Sequence, residues 1–86
     1  MKVYVLIHCS EDDKQIVKMS FTHKGVVKHL EDMVEKRRKD AEVVDCTLSW
    51  EDEETALVEG TFIYKGNGQA YPFSDEFIIE EYEVHA

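Results

Sequence analysis

The chain has 86 residues, with nineteen Asp and Glu against ten Lys and Arg and a formal net charge of −9. At roughly 100–200 residues per domain, that length holds one domain, residues 1–86. Its 43% hydrophobic content is too high for a disordered acidic tail, and its acidic balance lacks the basic footprint of a direct nucleic-acid or anionic-membrane binder.

Residues 2–9 read as a strand with two apolar faces. Val3, Val5, Ile7 and Cys9 lie on one side, Tyr4 and Leu6 on the other, a pattern suited to the middle of a sheet. The polar run Ser10 to Lys14 makes a turn. A second strand follows over 15–21, with Val17, Met19 and Phe21 alternating with Lys18 and Ser20. The period then changes. Val26, Val27, Leu30, Met33, Val34 and Arg37 recur at helical spacing, which predicts a helix over about 23–40. Thr22 suits its N-cap, and Lys36-Arg37-Arg38-Lys39 suits the negative end of its dipole.

Val44, Cys46, Leu48 and Trp50 alternate with Asp45, Thr47 and Ser49, giving a half-buried strand. Glu51-Asp52-Glu53-Glu54 turns the chain into another strand over 55–65, and Gly66-Asn67-Gly68 makes a tight hairpin connection. In the last strand, Pro72 cannot donate to a ladder, which assigns its segment to an edge or a bulge. The order β-β-α-β-β-β describes an α+β two-layer sandwich, one helix packed on a mainly antiparallel sheet.

Two cysteines, Cys9 and Cys46, in apolar strands read as buried thiols in a reducing cytoplasm rather than a disulfide framework. The apolar run Val3–Ile7 is shorter than the ~7–15 residues of a secretory h-region, and no segment reaches the ~18 of a membrane span. A cytoplasmic location is expected.

Charge is unevenly distributed. Residues 1–40 carry nine bases and seven acids, a net of +2, while residues 41–86 carry twelve acids and one base, Lys65, a net of −11. Such asymmetry points to an electrostatic partner, although an acidic surface also serves solubility alone. On a strand, residues i and i+2 share a face about 6.6–6.8 Å apart, close to the separation of neighbouring phosphates along a nucleic-acid strand. Glu51 with Glu53, and Glu81 with Glu83, have that spacing, and Asp45, Glu59, Asp75, Glu76 and Glu80 extend the field.

Motifs for chemistry fail on inspection. His8-Cys9-Ser10 resembles the start of the cysteine-phosphatase signature, but Gln15 stands at the arginine position and the intervening loop is acidic. No His or Cys pair has the spacing of a zinc site, and no acid run has the EF-hand pattern. Neither an activated nucleophile nor a phosphate-binding glycine loop is present. No enzyme activity, cofactor or metal is expected.

The sequence reads as a small non-enzymatic interaction domain, an inhibitor or regulator of the type carried by phages and mobile elements. Its acidic C-terminal sheet docks on a basic, nucleic-acid-binding protein, as a mimic of nucleic acid, through Glu51, Asp52, Glu53, Glu54, Tyr71, Glu80, Glu81 and Glu83. Two alternatives stand beside it. One is a homodimeric adaptor pairing through an edge strand around Tyr71–Phe77, and the other is a small ligand- or metal-binding domain using His8, Cys9 and His85.

Overall fold

A computed structural model describes residues 1–85. The elements follow the expected order: β1 (Lys2–Cys9), β2 (Lys14–Ser20), α1 (His23–Arg38), β3 (Val43–Trp50), β4 (Thr55–Ile63) and β5 (Ala70–Glu83). All five strands join one antiparallel sheet in the order β2-β1-β5-β4-β3. The chain makes a hairpin, crosses on α1 from one sheet edge to the other, and returns through a three-strand meander to pair β5 with β1.

The 14-residue β5 is the spine. Ala70–Ile78 pairs with β4 and Glu76–Glu83 with β1, so the two flanking hairpins overlap only around residues 76–78. At about 3.3 Å per residue such a strand runs some 46 Å, which accounts for a molecule 53 Å long and 26 × 21 Å across.

The helix forms where the apolar period becomes 3.6. Val26, Leu30 and Val34 make its buried stripe. The Thr22 hydroxyl accepts from the Gly25 N–H at 3.0 Å, capping the first turn. The helix stops at Arg38 rather than about residue 40, because Asp40 turns the chain: its carboxylate accepts from the Glu42 N–H at 2.9 Å. The basic last turn also ties α1 to β3, since Arg38 Nε donates to the Cys46 carbonyl at 2.8 Å.

The core lies between α1 and the sheet. Leu6, Val26, Leu30, Val34, Cys46, Ala56, Val58, Phe77 and Ile79 are all buried there, and fully burying each large aliphatic side chain contributes about 1.5–3 kcal/mol. Val3, Val5 and Ile7, with Cys9 and Ile78 against them, form a second cluster on the opposite face. Because β1 is flanked by β2 and β5, both its faces find apolar neighbours, as their alternation implied.

Pro72 pairs with Thr61 in the stretch of β5 that β1 does not reach. No strand flanks its outer side, so the expectation of a local edge is met inside a longer interior strand. This narrows the edge on which the homodimer alternative relied. From Glu76 onward β5 is covered by β1, and the edges of the sheet are β2 and β3. The region Tyr71–Phe77 therefore offers an open side only over its first part.

Candidate acidic interface

The acidic loop 51–54 is a fixed turn. Asp52 Oδ1 accepts from the Glu54 N–H at 2.8 Å and from the Thr55 N–H at 2.7 Å, and the Glu51 N–H donates to the Thr55 carbonyl at 2.9 Å. The backbone donor of Glu54 is the main influence holding the Asp52 carboxyl below its usual range; slight burial opposes it and Thr55 assists. Two further bonds anchor the loop. The Ile79 N–H donates to the Glu54 carbonyl at 2.7 Å, and His23 Nε2, as the Nε2–H tautomer, donates to the Glu53 carbonyl at 3.0 Å. Glu51 and Glu53 thus sit in a turn, where strand spacing does not apply. Since α1 has no acid in its first turn, part of the loop's charge complements the positive end of the helix dipole.

Two clefts border this loop. Tyr4, His23, Glu53, Glu54, Ile79 and Glu81 line one of about 270 Å³, where the Tyr4 and His23 rings meet edge to face at 5.8 Å. The other, about 600 Å³ and open to solvent, is lined by His23, Val27, Trp50, Asp52 and Glu53. Tyr4 and Trp50, read from the sequence only as strand residues, line these clefts together with His23. The usable signal for Trp50 was its place at the end of a strand, directly before four acids.

Alternation along β5 sorts the remaining carboxylates. Odd-numbered positions face α1, as buried Phe77 and Ile79 show. Glu81 there accepts from Lys2 Nζ at 3.2 Å and from the Tyr4 hydroxyl at 3.1 Å, and Glu83 accepts from the amino group of Met1 at 3.0 Å. The Lys2 hydrogen bond, then that of Tyr4, draws the Glu81 carboxyl below its usual value, and Glu81 raises the Lys2 amine in turn. Asp75 accepts from Arg37 Nη1 at 2.9 Å and from His8 Nε2 at 3.0 Å. Glu81 and Glu83 are therefore neutralised in place and do not form the free pair that their spacing suggested.

Even-numbered positions face away from the helix. Glu80, opposite Val5, accepts a hydrogen bond from the Tyr82 hydroxyl, and that bond, followed by the charge of Glu80, raises the phenol above its usual value. Glu76 lies opposite Leu57, Glu59 opposite Ser74 and Thr47, and Asp45 opposite Thr61. Glu76, Glu59 and Asp45 thus step diagonally across β5, β4 and β3, at the roughly 7–8 Å of diagonal neighbours on one sheet face. None of Asp45, Glu59, Glu76 or Glu80 has a cation within 4.0 Å among the described residues.

Tyr71 lies apart, near the β4–β5 turn. Its phenol accepts from Asn67 at 2.8 Å and donates to Gln69 at 3.2 Å, while its ring packs on Phe62. It organises the hairpin tip and does not join the acidic groups. The ligand-site alternative is likewise dispersed: His8 and Cys9 lie at one end of β1, and His85 lies past Glu83, which pairs with Lys2 at the other end. Among the described residues no three His, Cys, Asp or Glu side chains are grouped to hold a metal, and no helix is long and apolar enough to cross a membrane. Comparison with known protein families, curated proteins and solved structures finds no match for this chain.

Proposed function

We propose that this chain is a non-enzymatic interaction domain that binds a basic, nucleic-acid-binding protein and occupies part of the surface that would otherwise meet phosphates. One observation carries the reading. On β5 every acid facing α1 has a cationic partner, whereas Glu76 and Glu80, facing away, have none among the described residues, and Glu59 and Asp45 continue that row over two more strands. The lone base of the C-terminal half, Lys65, is taken up by Glu42 at 2.9 Å. A negative field of this kind accelerates encounter with a basic partner and fixes its orientation. The diagonal register of Glu76, Glu59 and Asp45 across three strands supports this reading.

The test is capture of partners from the source lysate on tagged protein, washed at low and then at high salt. A basic protein retained at low salt, released at high salt and lost with Glu59→Lys/Glu76→Lys supports the reading, provided Glu81→Gln still binds. Both side chains are exposed and have no ion pair among the described residues, so the double variant is expected to melt close to the parent. Unchanged capture by the double variant would reduce the acidic face to a solubilising surface.

A further inference from the structure

We propose that the cleft between Trp50 and Val27 receives an arginine side chain of the basic partner. The inference deepens the reading above and rests on it. The cleft opens on the helix side of edge strand β3, the face opposite Glu59 and Glu76, so the partner that meets those acids reaches the cleft round that edge. Trp50 ends edge strand β3 on the helix side, where it pairs with buried Ala56, yet it remains 37% exposed. Val27 supplies an aliphatic wall, His23 closes the side toward Tyr4, and Asp52 and Glu53 stand on the rim.

That combination selects its occupant by chemistry. An anion would meet two carboxylates with no cation within 4.0 Å among the described residues. A purely apolar group would leave those carboxylates partly desolvated without a partner. A long cationic side chain satisfies both parts, because its stem lies on Val27 and its head reaches the rim. Arginine fits better than lysine, since its planar guanidinium stacks on an indole face and still donates in plane to a carboxylate. An open cleft also suits a side chain arriving on its own backbone more than a small molecule that must be enclosed. Arginine anchors in aromatic surroundings are, moreover, enriched among residues that dominate protein interfaces. The Asp52 carboxylate is held by the Glu54 and Thr55 amides, and the main chain of Glu53 by His23.

The chain has one tryptophan, so its emission and its indole N–H resonance report on this cleft alone. The probes are blocked tetra-arginine, tetra-lysine and tetra-citrulline peptides at low salt, read by fluorescence and by amide chemical shifts. Tetra-arginine is expected to move the indole signal and the Val27 and His23 amides saturably, several-fold more tightly than tetra-lysine, with tetra-citrulline inert. Trp50→Leu, read by amide shifts, is expected to weaken tetra-arginine by about two- to thirty-fold, the range of one cation–π contact. Glu53→Gln keeps the indole and tests the rim separately. Equal binding of the two cationic peptides, with shifts at Glu59 and Glu76 and none at the indole, would overturn the inference and leave the acidic interface standing. Citrulline matching arginine would also overturn it, by showing an apolar site. Failure of both cationic peptides to bind would remove this inference and the proposed function together.

Discussion

Asp75 is the ionic tie between α1 and the sheet, and its neutralisation has a calculable consequence. The carboxylate accepts two hydrogen bonds, from Arg37 at 2.9 Å and His8 at 3.0 Å, with side-chain exposures of 26% for Asp75 and 38% for Arg37. Arg37 also lies over the Phe73 ring at 5.6 Å. A bond to a charged group contributes about 1.5–3 kcal/mol when shielded, and an exposed ion pair about 0–1. This half-shielded pair of bonds falls between, so Asp75→Asn should cost about 2 kcal/mol at pH 7. At about 4–8 °C per kcal/mol for a domain of this size, the melting temperature falls by about 8–16 °C. The pH dependence follows from the same contacts. Burial pushes the Asp75 carboxyl up, but the hydrogen bonds and charges of Arg37 and His8 outweigh it and hold the group below its ordinary value of 3.8. Its stabilisation is therefore complete above that value and is lost as pH falls through the lowered one. Thermal melts of parent and variant, followed by circular dichroism, should differ by a constant gap from about pH 5 to 7 and converge toward pH 2. A gap under ~0.5 kcal/mol at pH 7, or one that persists undiminished in acid, would refute the assignment of Asp75 as the tie.

Two other outcomes test the packing. A Cβ on Gly60 would collide with the Asp45 carbonyl and come within 2.8 Å of Phe73 Cζ, so Gly60→Ala should destabilise by about 1–3 kcal/mol; Gly68→Ala, strained only by its positive φ of 69°, should cost about 1. Equal melting temperatures for the two variants would contradict the close β3–β4 approach. Cys46 is buried and Cys9 half-buried, so a maleimide should label Cys9 first and reach Cys46 only on opening of the core. Mass spectrometry showing both labelled at one rate would place Cys46 wrongly.

Local periodicity carried most of the fold. The helix was legible because Val26, Leu30 and Val34 repeat at four residues, and β1 was legible as an interior strand because Tyr4 and Leu6 are apolar opposite Val3, Val5 and Ile7. The neighbour that covers β1 was not legible. Its pairing with β5 joins Lys2 to Glu83 across nearly the whole chain, and no spacing within either strand encodes that contact. Pro72 shows the same limit. Its missing N–H correctly announced an unpaired side, but only the length of β1 decides that this side opens for part of an interior strand and not along a sheet edge.

The charge count was legible too, while its cancellation was not. Glu81, Glu83 and Asp75 look like Glu76 and Glu80 in the sequence; what separates them is the parity of their positions on one strand. Odd positions point to the layer where the N-terminal half delivers Lys2, the terminal amine and Arg37, so those acids serve cohesion. Even positions point to a face that receives no helix, where Glu76 lies between Leu57 and Cys9, and Glu80 lies opposite Val5. Lys14 stands on that face beyond Cys9, yet among the described residues no cation comes within 4.0 Å of Glu76 or Glu80. Lys2, Arg37 and the terminal amine are thus spent on the helix-side acids of β5, while its even-numbered acids are left without such partners among the described residues. An evenly solvated acidic protein would scatter its unpaired carboxylates over both faces of β5; their confinement to one face is the strongest structural reason to look for a basic partner on that side.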